Sequence, residues 1–303
     1  MRALLVFVAI ACLGCETRAQ TTSPVASAAG SATTTTATAT ARPYALHLPA
    51  GRDHAKPAPV VVFLHGYGAP GGALGARQLG LEAFADDAGF VLAAPDGTLD
   101  GRGNRFWNAT DACCNFDHSP VDDVAYIAWL LDDVAARVAV DPRRVFVMGH
   151  SNGGFFAHRL ACDLAPRVAA AVSVAGAAWK DGARCAPGGP VSVLQIHGDA
   201  DAIIHIDGGH VFDLPVPAYP AARDTVAGWA RRDACTGGLV ATGQQLDFDA
   251  TVPGAETSVS AYAGCPAGVA VELWTMAGGS HVPAPTRAGL DAIWAWMGAH
   301  AKP

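Results

Sequence analysis

The sequence predicts an α/β fold in which helices cover both faces of a mostly parallel central sheet. Short apolar runs alternate along the chain with longer segments of helical periodicity. The runs are apolar throughout rather than at every second residue, which is typical of strands buried on both faces. Polar and glycine-rich motifs follow several runs, and folds of this class bind ligands at the carboxyl ends of their parallel strands.

In the first half of the chain, Val60–Leu64 and Phe90–Ala94 are predicted strands because both are short and continuously apolar. Leu79–Ala88 is predicted as a helix between them. Residues 98–120 are predicted to form a long polar loop. Asp122–Ala139 is predicted as a helix because its apolar side chains recur every three or four positions.

The second half continues the same alternation, with strands over the apolar runs and helices over the periodic segments. The predicted strands are Val145–Met148, Val168–Ala175, Val191–Ile196 and Val269–Met276. The predicted helices are Phe155–Ala165, Tyr219–Asp233 and Arg287–His300. This order predicts parallel strands joined by helical crossovers.

The first 19 residues have the pattern of a signal peptide. Arg2 supplies a positive charge, and Ala3–Leu13 is an apolar stretch too short to span a bilayer. Cleavage after Ala19 fits an ordinary secretory signal. A lipoprotein-type signal competes with it, because small or apolar residues precede both Cys12 and Cys15.

Residues 20–42 are predicted to be a disordered linker, since threonine, alanine and serine dominate and large apolar side chains are scarce. A tether of this kind favours lipidation at Cys15, and the alternative is a plain linker in a freely secreted protein. Residues 43–303 have the length of one α/β domain, which we expect to be a catalytic domain and a monomer. The net charge of −7 and the lack of a basic run argue against a nucleic-acid partner.

Eight cysteines occur, and six of them follow residue 19. An even number in an exported chain favours disulfides, although six cysteines allow fifteen connectivities. Local spacing favours Cys162–Cys185 and Cys235–Cys265. The neighbours Cys113 and Cys114 are then left to form a vicinal bridge or to remain free thiols. No paired C-x-x-C spacing is present, so no metal site is expected.

The most informative motif is Gly149-His150-Ser151-Asn152-Gly153, which matches G-x-S-x-G. It stands between a predicted strand and a predicted helix, the context in which this motif makes a sharp turn that exposes the serine hydroxyl. Glycines flank the serine because side chains there would collide with the neighbouring strand and helix. Ser151 is therefore the predicted nucleophile of a serine hydrolase.

A serine nucleophile needs a base, and the base needs a carboxylate to orient it. In folds with this turn, the acid and then the histidine follow the serine along the chain. Asp201 is the predicted acid because it ends the stretch HGDAD after an apolar strand, with Asp199 as the alternative. Asp207 and Asp213 lie farther into the loop and are weaker candidates.

His281 is the predicted base, because it lies in a glycine-rich loop between the last strand and the closing helix. It is preferred over His65, His150, His205 and His210, four of the eleven histidines that also lie near motifs. We expect His150 to pack in the turn and His65 to organise a loop through hydrogen bonds.

Backbone N–H groups are expected to bind the oxyanion that develops on an ester carbonyl during attack. One donor is expected from Asn152, the residue after the nucleophile. The other is expected from Tyr67, in the loop HGYG after the strand Val60–Leu64. Gly66 and Gly68 would let this backbone approach the substrate.

Six stretches together resemble the secreted esterase family of poly(3-hydroxybutyrate) depolymerases and feruloyl esterases. They are LHGYG (64–68), FWNATDACC (106–114), VDDVAYI (121–127), GHSNGG (149–154), HGDAD (197–201) and GGSHVP (278–283). The resemblance implies an α/β-hydrolase fold, ester substrates and no cofactor. It also implies Ser151, Asp201 and His281 as the triad, and disulfides near Cys113-Cys114 and between Cys235 and Cys265.

The expected function is therefore that of a secreted serine esterase that forms an acyl-enzyme on a small or oligomeric ester. Trp107 is expected to bind substrate, as a wall for an aromatic acyl group beside Tyr67, and the alternative is that it only packs within its loop. The stretch Ile203–Pro220 departs from the family's pattern, which leaves the substrate open. A secreted peptidase and a non-catalytic surface-binding protein are the alternatives, and the location is extracellular, periplasmic or lipid-anchored.

Overall fold

The structure is a computed structural model that describes residues 42–53 and 55–302. The predicted signal peptide, residues 1–19, lies outside the described residues. So does the predicted linker, residues 20–42, except for Arg42. In the part of the chain that is described, no helix is long and apolar enough to cross a membrane.

Eleven strands and six α-helices make up the regular structure of the described residues. The strands are β1 (Tyr44–His47), β2 (Ala58–Leu64), β3 (Val91–Pro95), β4 (Thr98–Leu99), β5 (Arg105–Phe106), β6 (Val140–His150), β7 (Ala170–Val174), β8 (Ser192–Gly198), β9 (Leu239–Leu246), β10 (Thr257–Tyr262) and β11 (Val271–Met276). The helices are α1 (Gly72–Gln78), α2 (Leu81–Ala88), α3 (Asp123–Arg137), α4 (Asn152–Asp163), α5 (Ala222–Arg232) and α6 (Arg287–Ala299).

Nine strands form one sheet in the order β1-β3-β2-β6-β7-β8-β11-β10-β9. The six strands from β3 to β11 in this order are parallel. β1 at one edge, and β10 and β9 at the other, run antiparallel to their neighbours. The predicted α/β architecture with a mostly parallel sheet is confirmed.

Helices cover both faces of this sheet, and each central strand is therefore buried on both sides. All seven residues of β2 and all seven of β8 are buried. One hydrophobic core contains Leu130 of α3, Leu160 of α4 and Trp229 of α5. A second core contains Phe84 of α2 and Leu290 of α6. The parallel arrangement brings the carboxyl ends of β2, β6, β8 and β11 to one edge of the sheet.

The edge elements were not predicted, because they lack the apolar runs on which the prediction depended. β9 is almost wholly exposed, and β10 alternates between buried and less buried residues. The glycine-rich segment that forms α1 has no clear apolar stripe. The loop 98–120 contains the short β4–β5 hairpin.

The described residues contain three disulfides, of which two are the pairs that local spacing favoured and the third is the vicinal bridge that the sequence left open. They join Cys162 to Cys185, Cys235 to Cys265, and the neighbours Cys113 and Cys114. The first ties the end of α4 to the segment before β8. The second ties the end of α5 to the turn after β10. Both therefore fix the lengths of chain that surround β8 and β11.

Candidate active site

Ser151 lies in a sharp turn between β6 and α4, with φ +54° and ψ −121°. A Cβ at Gly149 would stand 2.1 Å from the carbonyl oxygen of Gly153, and one at Gly153 would stand 2.0 Å from that of Leu64. Only glycine fits at either position, since real contacts are never this short. The Ser151 N–H donates to the Val174 carbonyl at 2.8 Å and fixes the turn on the sheet edge.

The structure brings together the three side chains predicted as a catalytic triad. His281 Nε2 lies 3.0 Å from Ser151 Oγ, and His281 Nδ1 lies 2.8 Å from Asp201 Oδ2. Because an ionised carboxylate only accepts, Nδ1 carries the imidazole proton and Nε2 is free to accept the serine proton. Ser151 is 9% exposed and Asp201 is 3% exposed, so the chain of bonds is shielded from water.

Asp201 is held as an anion by donors on both carboxylate oxygens. Its Oδ1 accepts hydrogen bonds from the N–H groups of Ile203 at 2.8 Å and Ile204 at 2.9 Å. Burial alone would raise the pKa of Asp201, but hydrogen bonds from His197, His281 and Ile204 outweigh it and hold that pKa well below its usual range. The alternative acid, Asp199, instead accepts from the Gly278 N–H at 2.6 Å.

His197, the first residue of the HGDAD stretch, lies directly behind Asp201 and was not predicted to have a role. Its Nε2 donates to the Ile204 carbonyl at 2.7 Å and lies 3.5 Å from Asp201 Oδ2. Its Nδ1 accepts from Gln195 Nε2 at 3.1 Å, which fixes the tautomer. His197 therefore presents an N–H, never a lone pair, toward the carboxylate.

The chain of buried hydrogen bonds continues from Gln195 into the hydrophobic core. His158 Nε2 donates to Gln195 Oε1 at 2.9 Å, and Trp229 Nε1 donates to His158 Nδ1 at 3.0 Å. Burial lowers the pKa of His158 to about 4, so the ring is neutral at neutral pH. The donors run in order from Trp229 through His158 and Gln195 to His197. The N–H of His197 then donates to the Ile204 carbonyl beside Asp201. We call these four residues the buried relay.

His150, expected to pack in the turn, also anchors the loop that carries the base. Its Nε2 donates to the His281 carbonyl at 2.7 Å. Burial, and then repulsion from a charged His281, lower the pKa of His150 to about 4. The neutral ring therefore keeps its donor role near neutral pH.

The HGYG loop after β2 lies against the nucleophile, as a second oxyanion donor requires. A Cβ at Gly66 would stand 3.4 Å from the Ser151 Cβ. His65 organises this loop, because its Nδ1 donates to the Gly66 carbonyl and its Nε2 accepts from the Gly97 N–H. Burial lowers the pKa of His65, in keeping with this uncharged role.

The expectation that Trp107 binds substrate is wrong. Trp107 is fully buried, stacks on Phe156 with ring centroids 5.2 Å apart and does not line the cleft beside Ser151. Its Nε1 donates to the His65 carbonyl at 3.0 Å. Its backbone exchanges two hydrogen bonds with the Asn152 side chain, at 2.7 and 3.1 Å. Trp107 therefore joins the loops that carry Tyr67 and Asn152.

The stretch Val121–Asp123 supports the same region through hydrogen bonds of its two carboxylates. Asp122 caps α3 by accepting from the Ala125 N–H, as expected for the start of a helix. Asp123 does more, because its buried carboxylate accepts from the Asn108 N–H at 2.6 Å and pairs with Arg42. The stretches FWNATDACC and VDDVAYI are thus joined into one structural unit.

Tyr67, Phe116 and Phe212 form an aromatic cluster, and two of them, Tyr67 and Phe212, line the cleft beside Ser151. Tyr67 contacts Phe116 with ring centroids 5.4 Å apart, and Phe212 lies 6.4 Å from Tyr67 and 6.3 Å from Phe116. Phe212 is half-exposed and adopts a positive φ of +54°, which is uncommon for a bulky residue. It belongs to Ile203–Pro220, the stretch that departs from the family's pattern.

A cleft of about 870 Å³ opens beside Ser151 and His281. It extends away from them between the α1–α2 segment on one side and the start of α6 on the other. Its volume is in the range of pockets that enclose a small organic molecule. Among the described residues, no group of three or more His, Cys, Asp or Glu side chains is arranged to hold a metal ion.

A family model described as "Esterase PHB depolymerase" matches residues 42–229 of this chain. The chain belongs to this family. The match includes Ser151 and Asp201, while His281 lies beyond it. The resemblance read from the short motifs is confirmed, and the protein is an enzyme, a serine hydrolase that acts on ester bonds.

Curated relatives of this esterase carry related names. A protein of Nocardia uniformis subsp. tsuyamanensis, "Putative esterase NocK", is 31% identical over 85% of this chain and 75% of its own length. Feruloyl esterase B of Piromyces equi is 28% identical over 68% of this chain, which spans 36% of that protein. Feruloyl esterase C of Emericella nidulans is 32% identical over 55% of this chain and 58% of its own length.

Solved structures share the fold of this esterase at low sequence identity. An acetyl xylan esterase from Aspergillus awamori superposes with a TM-score of 0.56 at 16% identity, over 84% of this chain and 93% of that one. Esterase PE8 gives a TM-score of 0.54 at 17% identity, over 86% and 99%. The α/β-hydrolase fold is thereby confirmed.

Proposed function

We propose that this protein is an exported serine esterase that hydrolyses small or oligomeric carboxylic esters through a Ser151–His281–Asp201 triad and an acyl-enzyme. One observation carries the proposal: an unbroken line of hydrogen bonds from Ser151 Oγ through His281 to Asp201. The line ends at the carboxyl edge of the sheet, beside a cleft that can hold a substrate. The esterase names of the relatives support the same chemistry.

In the acylation step, Ser151 Oγ attacks the ester carbonyl carbon while its proton moves to His281 Nε2. The carbonyl π electrons move to the oxygen, and the backbone N–H groups of Tyr67 and Asn152 bind that oxyanion. Neither N–H donates to another group within the described residues, so both are available. When the tetrahedral intermediate collapses, the C–O bond to the alcohol breaks and His281 Nε2 returns its proton to the leaving oxygen.

In the deacylation step, water takes the place of the alcohol. His281 Nε2 accepts a proton from the water as its oxygen attacks the acyl carbon, and the same two N–H groups bind the second oxyanion. Collapse breaks the bond to Ser151 Oγ, which regains the proton. Asp201 stays ionised throughout, since its low pKa makes proton transfer from His281 unfavourable.

Export is supported by the three disulfides, which persist in oxidising compartments. We propose that the protein acts outside the cytoplasm as a monomer, either freely secreted or held by a lipid at Cys15. Mass spectrometry of the N-terminal peptide of protein made in its natural host would decide between free and lipidated forms.

The test of function is hydrolysis by purified protein of methyl acetate, methyl ferulate and 3-hydroxybutyrate oligomers. We expect Ser151→Ala to lower ester turnover by at least about 10⁴-fold, the scale on which triad nucleophiles act. Ser260→Ala, on β10 and outside the site, is the matched control and should keep full activity. An active-site phosphonate should add one mass increment to the native protein and none to Ser151→Ala.

Other outcomes would point elsewhere. Faster cleavage of an amide than of an ester with the same acyl group would make the protein a peptidase. Undiminished ester hydrolysis in folded Ser151→Ala would refute the nucleophile. No turnover by the folded native protein would favour a binding protein built on a hydrolase fold.

A further inference from the structure

The cleft beside Ser151 points to a substrate class, an inference that rests on the proposed esterase function. We propose that the natural ester carries an extended, unsubstituted hydrocarbon chain and that this chain lies in the cleft. The volume of about 870 Å³ greatly exceeds what an acetyl group needs. The chemistry of the walls, rather than the size alone, selects the chain.

The inner wall of the cleft is made of side chains from the hydrophobic core. Phe63, Phe84, Met148, Phe248 and Leu290 line it, and each is nearly fully buried. Three of them, Phe84, Met148 and Leu290, also line a small apolar cavity of about 20 Å³. Aliphatic and aromatic surface of this kind stabilises a bound chain by excluding water from it.

Most polar side chains on the cleft wall already have partners. The Tyr67 hydroxyl donates to Asp100 Oδ2 at 2.5 Å and accepts from Asn104 Nδ2 at 3.1 Å. Both ring nitrogens of His65 have backbone partners, the carbonyl of Gly66 and the N–H of Gly97. A hydroxyl or methoxyl group on the bound chain would therefore lose its water without gaining a hydrogen bond from these side chains.

At the far end of the cleft, Arg287 is bonded to two carboxylates and is not a free charge. Asp87 Oδ2 on α2 accepts from Arg287 Nη1 on α6 at 2.5 Å, and Arg287 also bonds to Asp291. Because two carboxylates share Arg287, this end carries a net negative charge and offers no free cation to an anionic group on the bound chain. Gln78, an exposed residue of α1, is the remaining polar side chain there.

The mouth of the cleft is also apolar. Ile203, Phe212 and Val282 line it and are 38%, 50% and 63% exposed. Exposed apolar side chains are common when scattered singly, but these three share one rim with the nucleophile. They continue the apolar path from solvent to Ser151, which suits a hydrocarbon chain as it enters.

The experiment measures kcat/KM for methyl esters of unbranched acids from acetate to octanoate, by pH-stat and below micelle-forming concentrations. Each methylene that leaves water on binding contributes a factor of about four at most. We expect at least a tenfold rise from acetate to octanoate. Methyl 3-hydroxyoctanoate should be at least tenfold poorer than methyl octanoate, because its hydroxyl would be left without a partner.

Octyl acetate is the second arm of the experiment, since the chain of an ester belongs to its acid or to its alcohol. If kcat/KM rises more from methyl acetate to octyl acetate than from methyl acetate to methyl octanoate, the chain lies on the alcohol side. A steeper gain for methyl octanoate would place it on the acyl side. Either result supports a hydrocarbon chain in the cleft.

The variant Ala83→Phe tests whether the hydrocarbon chain of the substrate lies in this cleft. Ala83 is an exposed residue of α2 that lines the cleft, so a larger side chain there would occupy part of it. We expect this variant to lower the octanoate-to-acetate ratio of kcat/KM at least fivefold. Ala136→Phe makes the same change at an exposed position of α3 and should leave the ratio unchanged. Circular dichroism and Tm of both variants establish that they are folded.

A flat chain-length series together with Ser151-dependent hydrolysis of methyl acetate would overturn the inference and leave the esterase proposal standing. Preference for methyl ferulate or the 3-hydroxy ester over methyl octanoate would overturn it as well. An unchanged ratio in folded Ala83→Phe would remove the chain from this cleft. Loss of all Ser151-dependent turnover would overturn the esterase proposal and this inference with it.

Discussion

At the scale of single residues, two buried carboxylates differ in how many hydrogen-bond donors they have, and their pKa values shift in opposite directions. Asp201 is buried and well satisfied, and its pKa falls. Asp233, at the end of α5, is buried at 2% exposure with one weak donor, the Val191 N–H at 3.3 Å, while its Oδ2 has no partner. Burial raises the pKa of Asp233 to about 7.

Replacing Asp233 with asparagine tests this environment through pH. The unfolded carboxyl ionises near pH 3.8 and the folded one near 7, so the folded state binds more protons between these values. Wild-type stability therefore loses a contribution as pH rises from about 4 to 7. An asparagine amide does not ionise. We therefore expect the free energy of unfolding of D233N to equal that of the wild type near pH 4 and to exceed it by about 2–4 kcal/mol at pH 8.

Urea unfolding at pH 4.5, 6 and 8 measures the difference directly. The informative quantity is the change with pH, since any loss of the Val191 hydrogen bond is constant across the series. D224N, at another acidic residue of α5, is the control. If the difference in free energy of unfolding between D233N and the wild type did not grow with pH, Asp233 would be ionised without cost in the folded protein.

At the scale of elements, β8 delivers two kinds of residue to the site. Its carboxyl end leads into Asp201, while its interior carries Gln195 and His197 of the buried relay, both within 1% of full burial. Because alternate residues of a strand share a face, Gln195 and His197 lie on the same side of the sheet and can hydrogen-bond to each other. Helices α4 and α5, on that face, supply His158 and Trp229.

His197→Phe should impair the base through Asp201 without touching substrate. It keeps an aromatic ring but removes the N–H beside the Asp201 carboxylate, which would then bind the protonated imidazole of His281 more tightly. We expect kcat to fall about tenfold at neutral pH, KM for methyl acetate to stay within about twofold, and the acid limb of kcat/KM to move to higher pH.

The control for His197→Phe is His205→Phe, an exposed histidine in the following loop. Gln195→Leu should reproduce part of the kinetic effect, because it releases His197 from its fixed tautomer. If kcat fell in His197→Phe with no movement of the pH profile, its role would be structural support. Unchanged kinetics in both relay variants would show that Asp201 is held adequately by the N–H groups of Ile203 and Ile204.

At the scale of the whole molecule, the features that could be predicted are those with a local signature. The turn at Ser151 is encoded by Gly149 and Gly153, which stand two residues before and after it in sequence. The strand–helix alternation is encoded by apolar runs. Trp107 shows the limit, because its burial depends on Phe156 and Asn152 from another element. Nothing near Trp107 in the sequence indicates those partners.

The unpredicted parts have the same cause. The buried relay joins α4, α5 and β8, so its members are up to 71 residues apart along the chain. β9 pairs through its backbone while its side chains face water, which leaves no apolar pattern to detect. Phe212 reaches Tyr67 only because the stretch Ile203–Pro220 folds over the site. Such contacts follow from topology, which periodicity within one segment does not contain.

Disulfides act on the molecule as a whole, because they restrict the unfolded chain more than the folded one. Cys162–Cys185 closes a loop with a sequence separation of 23 residues, and both cysteines are buried against the core. Loop-closure entropy predicts a contribution of about 3 kcal/mol for a loop of this size. The bridge lies behind β8, away from Ser151, so its loss should reduce stability and leave the site assembled.

The double variant Cys162→Ala/Cys185→Ala tests this without leaving a free thiol. We expect its free energy of unfolding in urea to fall by about 2–4 kcal/mol, while kcat/KM for methyl acetate at 25 °C stays within about twofold. The native protein with its three disulfides intact is the comparison. A large loss of activity in the folded double variant would instead mean that the bridge positions the end of α4, and through it His158 and the relay behind Asp201.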